Sequence, residues 1–393
     1  METETPTREE GVSLYTPEGD PFHIDLFTKD VPASHTLMVG AAGTGKSFLL
    51  QQVVTALHVA QGAKAFLVDR GGSYTHLVER HDGSRIRLVE EEENGIAPTC
   101  LNPLHIYGAR PTKREQSFIR GILLAMLQAG QEHEEGPARS FNKPEQAVLL
   151  DALQMTFEEI NGGREEDPVE VTLSDYIERL RRVERNADLG NELADRLHDY
   201  TQDGPYGALF DGKLGIDWSA DLIVFDEELM MESPALSVAT LALLSHIEAH
   251  IKHCLPREQK KIVGLDEVIY HLGNRFAANQ LAGFYRETRK CNTAAILLAQ
   301  TVLEVERLVE NAGGGILENT PFYFFLKASG SRGYEVAARM LELTDEDIAS
   351  WRSLSPPTPA FSEVLYHMRQ MDGGAKSRLL RVYPEESQGQ STL

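Results

Sequence analysis

Residues 35–50 read HTLMVGAAGTGKSFLL. The first five form a short, β-prone apolar run. Gly40, Ala41, Ala42, Gly43, Thr44, Gly45, Lys46 and Ser47 then fit G-x-x-x-x-G-K-[ST] at every fixed position. From Ser47 and Phe48 to Gln61 the apolar residues fall at helical spacing. Strand, glycine loop and helix in this order make a phosphate cradle. The glycines let successive N–H groups converge, Lys46 reaches the β and γ oxygens, and the Ser47 hydroxyl ligates Mg2+. The helix adds its positive N-terminal end. A chance glycine turn would not bring both flanking elements with it. The loop is therefore expected to bind ATP with Mg2+.

Working outward, KAFLVD (64–69) reads as a second buried strand, so a mostly parallel α/β sheet begins here. Before the loop, SLYTPEGDPFHIDLF (13–27) has turn signals between short apolar stretches and predicts a β-rich opening. Between about Arg110 and Gly207 the strand signals stop. Phe118, Ile119, Ile122, Leu123, Met126 and Leu127 make one helical stripe. A second helix should open at Asn142, with Pro144 in its first turn and Glu145 three residues after the cap. A third should open at Thr172, with Asp175 in the same relation. QEHEEGPARS (131–140) and NGGREEDP (161–168) read as polar, exposed loops. Strands return with DLIVFD (221–226), KIVGLD (261–266), TAAILLA (293–299) and PFYFFLK (321–327). The expected division is a core of 1–109 and 208–384, an all-α insertion at 110–207, and a mobile tail at 385–393.

A phosphate loop needs a carboxylate on a second strand end to hold the metal. LIVFDEE ends in Asp226-Glu227-Glu228, and IVGLDE ends in Asp266-Glu267. The second is favoured because a helix and the strand ending at Gln300 follow it. In that order Asp266 would position the Mg2+ water shell, Glu267 would activate the attacking water, and Gln300 would sense the γ-phosphate. Asp226 is then an ordinary acidic strand end. Arg286 and Arg289, in YRETRK, could complete a neighbouring subunit's site or simply be solvated cations at a helix end; Arg332 is a third candidate. Asp69 could meet the nucleotide or cap a turn, and the turn is favoured. His246, His250 and His253 share one helix face at metal-like spacing, but a partly exposed polar face is the simpler expectation.

Composition narrows the class. Hydrophobic residues at 41% and charged residues at 25% describe a globular chain. The run Ile122–Leu127 is too short to span a bilayer and reads as core. The polar, acidic start METETPTREEG has no leader character. Cys100, Cys254 and Cys291 form no CxxC pair, which suits free thiols in a reducing compartment. Lys and Arg number 38 against 60 Asp and Glu, a net charge of −22. That balance disfavours nucleic acid as the main partner, although a local basic pore could still exist.

Together these segments resemble the C-terminal motor domain of the conjugative-transfer, type IV secretion ATPases (the TraC-type family), within the group that includes DNA translocases and coupling proteins. The resemblance runs through TPEGDPFHIDLF, GAAGTGKSFLL, LVDRGGSY (67–74), LNPL (101–104) and YGALFDG (206–212). It continues through LIVFDEELM, LDEVIYHLGN, YRETRKCNTAAILLAQT, ENTPFYFFLK and LELTDEDI (341–348). It implies a RecA-like P-loop core with a helical insertion, ATP hydrolysis, and hexameric rings docked on secretion-channel proteins at the cytoplasmic face of an inner membrane. DNA pumping is the alternative. By resemblance Lys46 and Ser47 are the nucleotide and Mg2+ residues, Asp266 and Glu267 the acidic pair, and Gln300 the sensor. Arg286 or Arg289 is the arginine acting in trans. Where the family often has serine after the sensor, this chain has Thr301; where it often has Trp after the acidic pair, this chain has Val268-Ile269-Tyr270. Family members carry a large N-terminal domain, so a motor starting near Met1 suggests an excised or stand-alone domain, which could be monomeric.

Overall fold

The computed structural model describes residues 11–129, 141–270, 275–312 and 315–384. The tail at 385–393, the loop at 131–140 and the HLG of VIYHLG lie outside the described residues. The strands are β1 (Val12–Tyr15), β2 (Pro21–Ile24), β3 (Thr36–Val39), β4 (Lys64–Asp69), β5 (Ser84–Arg87) and β6 (Leu222–Asp226). They continue with β7 (Lys261–Leu265), β8 (Thr293–Ala299), β9 (Phe322–Phe325), β10 (Ser362–Arg369) and β11 (Ala375–Val382). They form one sheet in the order β2-β1-β11-β10-β9-β3-β8-β7-β4-β6-β5. From β9 to β5 every pairing is parallel. The hairpins β1–β2 and β10–β11 extend the β9 edge in antiparallel fashion. This is the RecA-like P-loop architecture that the sequence predicts.

The helices are α1 (Lys46–Gln61), α2 (Thr75–Arg80), α3 (Lys113–Ala129), α4 (Lys143–Asn161), α5 (Leu173–Leu180) and α6 (Ala187–Leu197). They continue with α7 (Gly207–Phe210), α8 (Leu236–His253), α9 (Arg275–Thr288), α10 (Val302–Ala312), α11 (Arg332–Leu341) and α12 (Asp345–Ser353). Strand side chains alternate between two apolar layers. On β4, Ala65 and Leu67 join Leu49, Leu50, Val53 and Leu57 of α1. Phe66 and Val68 face the other way, into a cluster continuous with α3–α6 and α8–α12. Helix starts follow the capping chemistry: Asn142 and Glu145, and likewise Thr172 and Asp175, exchange side-chain and backbone bonds.

The α3–α8 contact is locked by Arg114, whose Nε and Nη2 donate to Glu248 at 3.0 and 2.8 Å. Its guanidinium also stacks 4.2 Å from the Phe118 ring centroid. Gly283 of α9 gives it room, since a Cβ there would lie 2.3 Å from Nη1. No helix among the described residues is long and apolar enough to cross a membrane.

Candidate nucleotide-binding site

The parallel register gathers the candidate residues at the carboxyl edge of the sheet. Val39 pairs with Ala299, so Gly40 and Gln300 leave β3 and β8 side by side. Leu265 pairs with Val68 on one side and Leu297 on the other, which brings the Asp266-Glu267 end between Asp69 and Gln300. Asp69 in turn pairs with Asp226. Residues far apart in sequence become neighbours because each ends an adjacent parallel strand, the usual ligand edge of an open α/β sheet.

The loop from Gly40 to Gly45 is tightly wound. Gly43 and Gly45 hold φ at +73° and +97°, which a side chain would strain. At Gly40 the limit is space: a Cβ would lie 2.6 Å from Leu326 Cβ and 2.7 Å from Thr44 Oγ1. Ala41 N–H donates to Lys327 O at 2.9 Å, and Ala42 is exposed. Thr44 closes the turn by donating its hydroxyl to Ala41 O at 2.7 Å. The first turn of α1 has no acidic residue, so its positive end is uncompensated. Phe48 packs into the α1-side core and anchors the turn.

Lys46 is buried, and its Nζ donates to Gly40 O at 2.8 Å and Ala41 O at 3.1 Å. Burial pulls its ammonium below the ordinary value, while the carboxylates of Asp266, Glu267 and Glu304 act in the opposite direction. Ser47 Oγ donates to Asp266 Oδ2 at 2.7 Å across 219 residues of sequence. Tyr74, fully buried, donates its hydroxyl to the same oxygen at 2.7 Å. Burial raises the Asp266 carboxyl above its usual value, and the Tyr74 and Ser47 hydrogen bonds oppose that rise. Glu267 holds φ at +58°, unusual for a non-glycine residue, and accepts from Gln300 Nε2 at 2.6 Å. Thr301 Oγ1 accepts from Glu304 N–H at 3.3 Å, a capping role that serine can also fill.

The second acidic strand end differs in kind. Asp226 is ion-paired to Arg85 and accepts from Glu228 N–H at 2.9 Å. Glu227 is wholly buried, and burial pushes its carboxyl up to about 8. Thr240 Oγ1 donates to it at 2.8 Å, and Oε2 has no hydrogen-bond partner among the described residues. Asp69 caps the following turn, accepting from Gly71 and Tyr74 N–H at 3.1 and 3.4 Å. Burial, foremost, pushes its carboxyl up to about 6.

The arginines separate. Arg286 and Arg289 are exposed at the end of α9 and just beyond it. The charge of Arg289 acts on His35, immediately before β3, and His35 Nε2 bonds Tyr285 O at 2.7 Å. Both arginines thus lie at the opposite sheet edge from their own loop. Arg332 instead lines a small cavity of about 100 Å3 with Gln300, Thr301 and Trp351. The expectation of a partly exposed histidine face is corrected at two of three positions. His246 is buried with Nε2 bonded to Leu101 O at 2.7 Å, and buried His250 stacks on Trp218 at 4.3 Å. His253 stacks on Tyr107 at 5.3 Å. Aromatic groups from facing segments cover the stripe, a packing that helical spacing alone does not reveal.

Among the described residues no three His, Cys, Asp or Glu side chains group as a metal site. A hydroxyl and a single carboxylate, both hard oxygen donors, remain beside the phosphate loop. That set suits Mg2+, which takes few protein ligands and completes its shell with water and phosphate oxygens.

A family model described as the TraG P-loop domain matches residues 14–372. Conjugal transfer protein TrbE of Rhizobium radiobacter is 26% identical over 289 residues, 73% of this chain and 31% of that protein. A probable conjugal transfer protein TrbE of Sinorhizobium fredii is 24% identical over 290 residues, 73% and 38% of the two chains. This chain therefore spans only about a third of the length of these relatives. Among solved structures, VirB4 of Thermoanaerobacter pseudethanolicus superposes with a TM-score of 0.76 at 18% identity, covering 97% of this chain and 98% of that one. Plasmid coupling protein TrwB in complex with ADP and Mg2+ gives 0.59 at 17% identity, covering 96% and 90%. Those two likenesses concern the fold. The family match over most of the chain goes further: the protein belongs to the TraG P-loop domain family and is a P-loop NTPase.

Proposed function

We propose that this chain binds Mg·ATP at Gly40–Ser47 and hydrolyses it to energise type IV secretion or conjugative transfer, moving substrate or assembling a pilus. The observation that carries the reading is the Ser47–Asp266 contact beside the Glu267–Gln300 pair. Two conjugal-transfer relatives support the process. The reading treats 1–109 and 208–384 as one core with 110–207 inserted, because helices alone fill the stretch between β5 and β6. It includes a hexameric ring, docked on channel proteins at the cytoplasmic face of an inner membrane.

The residues divide the work. Lys46 exchanges its two loop carbonyls for β and γ oxygens as the loop N–H groups and α1 receive the phosphates. Ser47 and Asp266 would hold the ion, which neutralises developing phosphate charge when bound. Glu267 takes the proton of the attacking water. Its carboxylate must first leave the Gln300 amide, which is then free to meet the γ-phosphate. Glu267 is thereby held away from water until the phosphate draws Gln300 off. Arg286 and Arg289, remote from their own loop, serve a neighbouring subunit.

The test is ATP turnover against protein concentration, with and without duplex DNA, on the parent and Lys46→Ala. Lys46-dependent turnover that rises more than linearly and ignores DNA is expected. Strong stimulation by DNA, lost steeply with salt, would replace the secretion motor with a DNA translocase. Turnover unaffected by Lys46→Ala would overturn the site.

A further inference from the structure

The stretch Asp69-Arg70-Gly71-Gly72-Ser73-Tyr74 leaves β4 as a tight turn that carries the Tyr74 hydroxyl to the Asp266 carboxylate. We propose that Tyr74 is a positioning residue for Mg2+: its hydroxyl orients the Asp266 carboxylate toward the ion. The inference rests on reading Asp266 as the carboxylate that serves the metal.

Several supports fix the hydroxyl. Asp69 accepts from Gly71 and Tyr74 N–H, and Gly72 holds φ at +65°. Gln51 Nε2 of α1 donates to Ser73 O at 2.9 Å, tying the turn to the helix that begins at the phosphate loop. The Tyr74 ring is packed in the α1-side core. It therefore delivers its hydroxyl to Asp266 Oδ2 at 2.7 Å from a rigid base. Ser47 donates to the same oxygen. With both hydroxyl protons on Oδ2, Oδ1 is the oxygen left to accept from a metal-bound water. Asp266 is only 4% exposed, so solvent cannot substitute for a lost donor. An outer partner of this kind usually sets metal affinity more than it sets ligand affinity in general.

The experiment titrates a fluorescent ADP against the full chain in EDTA and across a range of Mg2+ concentrations, for the parent, Tyr74→Phe, Asp266→Asn and the double variant. Tyr74→Phe should raise the Mg2+ concentration for half-maximal enhancement of binding roughly ten-fold. Its ADP affinity in EDTA and its metal-free melting temperature should match the parent. In the Asp266→Asn background the same change should add nothing. If Asp266→Asn shifts the Mg2+ requirement and Tyr74→Phe does not, the proposal is wrong although the site stands. If Asp266→Asn leaves the requirement unchanged, the underlying site reading has failed. Equal weakening in EDTA and in Mg2+, or additive effects in the double variant, would make Tyr74 a scaffold residue and overturn the proposal.

Discussion

Replacing Glu227 by Gln should remove a pH dependence of stability that the parent carries between about pH 5 and pH 8. Glu227 is wholly buried at the end of β6, and burial raises its carboxyl from an ordinary 4.5 to about 8. The Thr240 hydroxyl bond and the charge of Arg70 act the other way but do not cancel the burial. In this window the folded chain keeps the proton and the unfolded chain has lost it. Stability therefore falls as pH rises above the unfolded value and levels off above the folded one. At about 1.4 kcal/mol per pH unit, the parent should lose about 3 kcal/mol between pH 5 and pH 8 through this group. Gln keeps an acceptor for Thr240 and cannot ionise. Urea unfolding of both chains at intervals of pH reads the difference, so other groups that titrate in common drop out. Parallel stability curves for the two chains would refute the reasoning, as would a difference that grows toward low pH.

Gly40→Ala should cost about 1–3 kcal/mol by overpacking against Leu326 and Thr44; a thermal melt reads this, and the variant should also lose nucleotide affinity by titration. Glu248→Ala leaves Arg114 buried without its carboxylate and should cost about 3–5 kcal/mol in urea unfolding. A paired Arg114→Met, Glu248→Leu chain should recover most of that loss.

The sequence shows most of the parallel sheet because β3, β4, β6, β7, β8 and β9 are buried on both faces and read as unbroken apolar runs. Strands whose residues stay half in water escape notice. SRIR in β5 is mostly half-buried, and AKSRLLRV in β11 is largely exposed and cationic. The β10–β11 hairpin is therefore found only in the structure. Helix starts at Asn142 and Thr172 are legible because their caps are local chemistry. The site follows the same division. Gly40–Ser47 is a contiguous pattern, and Asp266, Glu267 and Gln300 stand at apolar strand ends whose adjacency follows from a parallel register. Tyr74 is invisible by such means. Its hydroxyl reaches Asp266 through the path of one turn, and only the Asp-x-Gly-Gly pattern before it hints that the turn is fixed. The burial of His246 and His250 depends likewise on Trp218 and Leu101 arriving from elsewhere in the chain.

The most direct test of which strand end carries the chemistry compares Mg-dependent ATP hydrolysis and ATP binding in Glu267→Gln and Glu227→Gln at neutral pH. If Glu267 takes the proton of the attacking water, Glu267→Gln binds ATP with parental affinity and loses roughly 10²–10⁴-fold in turnover, while Glu227→Gln turns over like the parent. Parental turnover by Glu267→Gln, or the loss appearing in Glu227→Gln instead, would contradict the account.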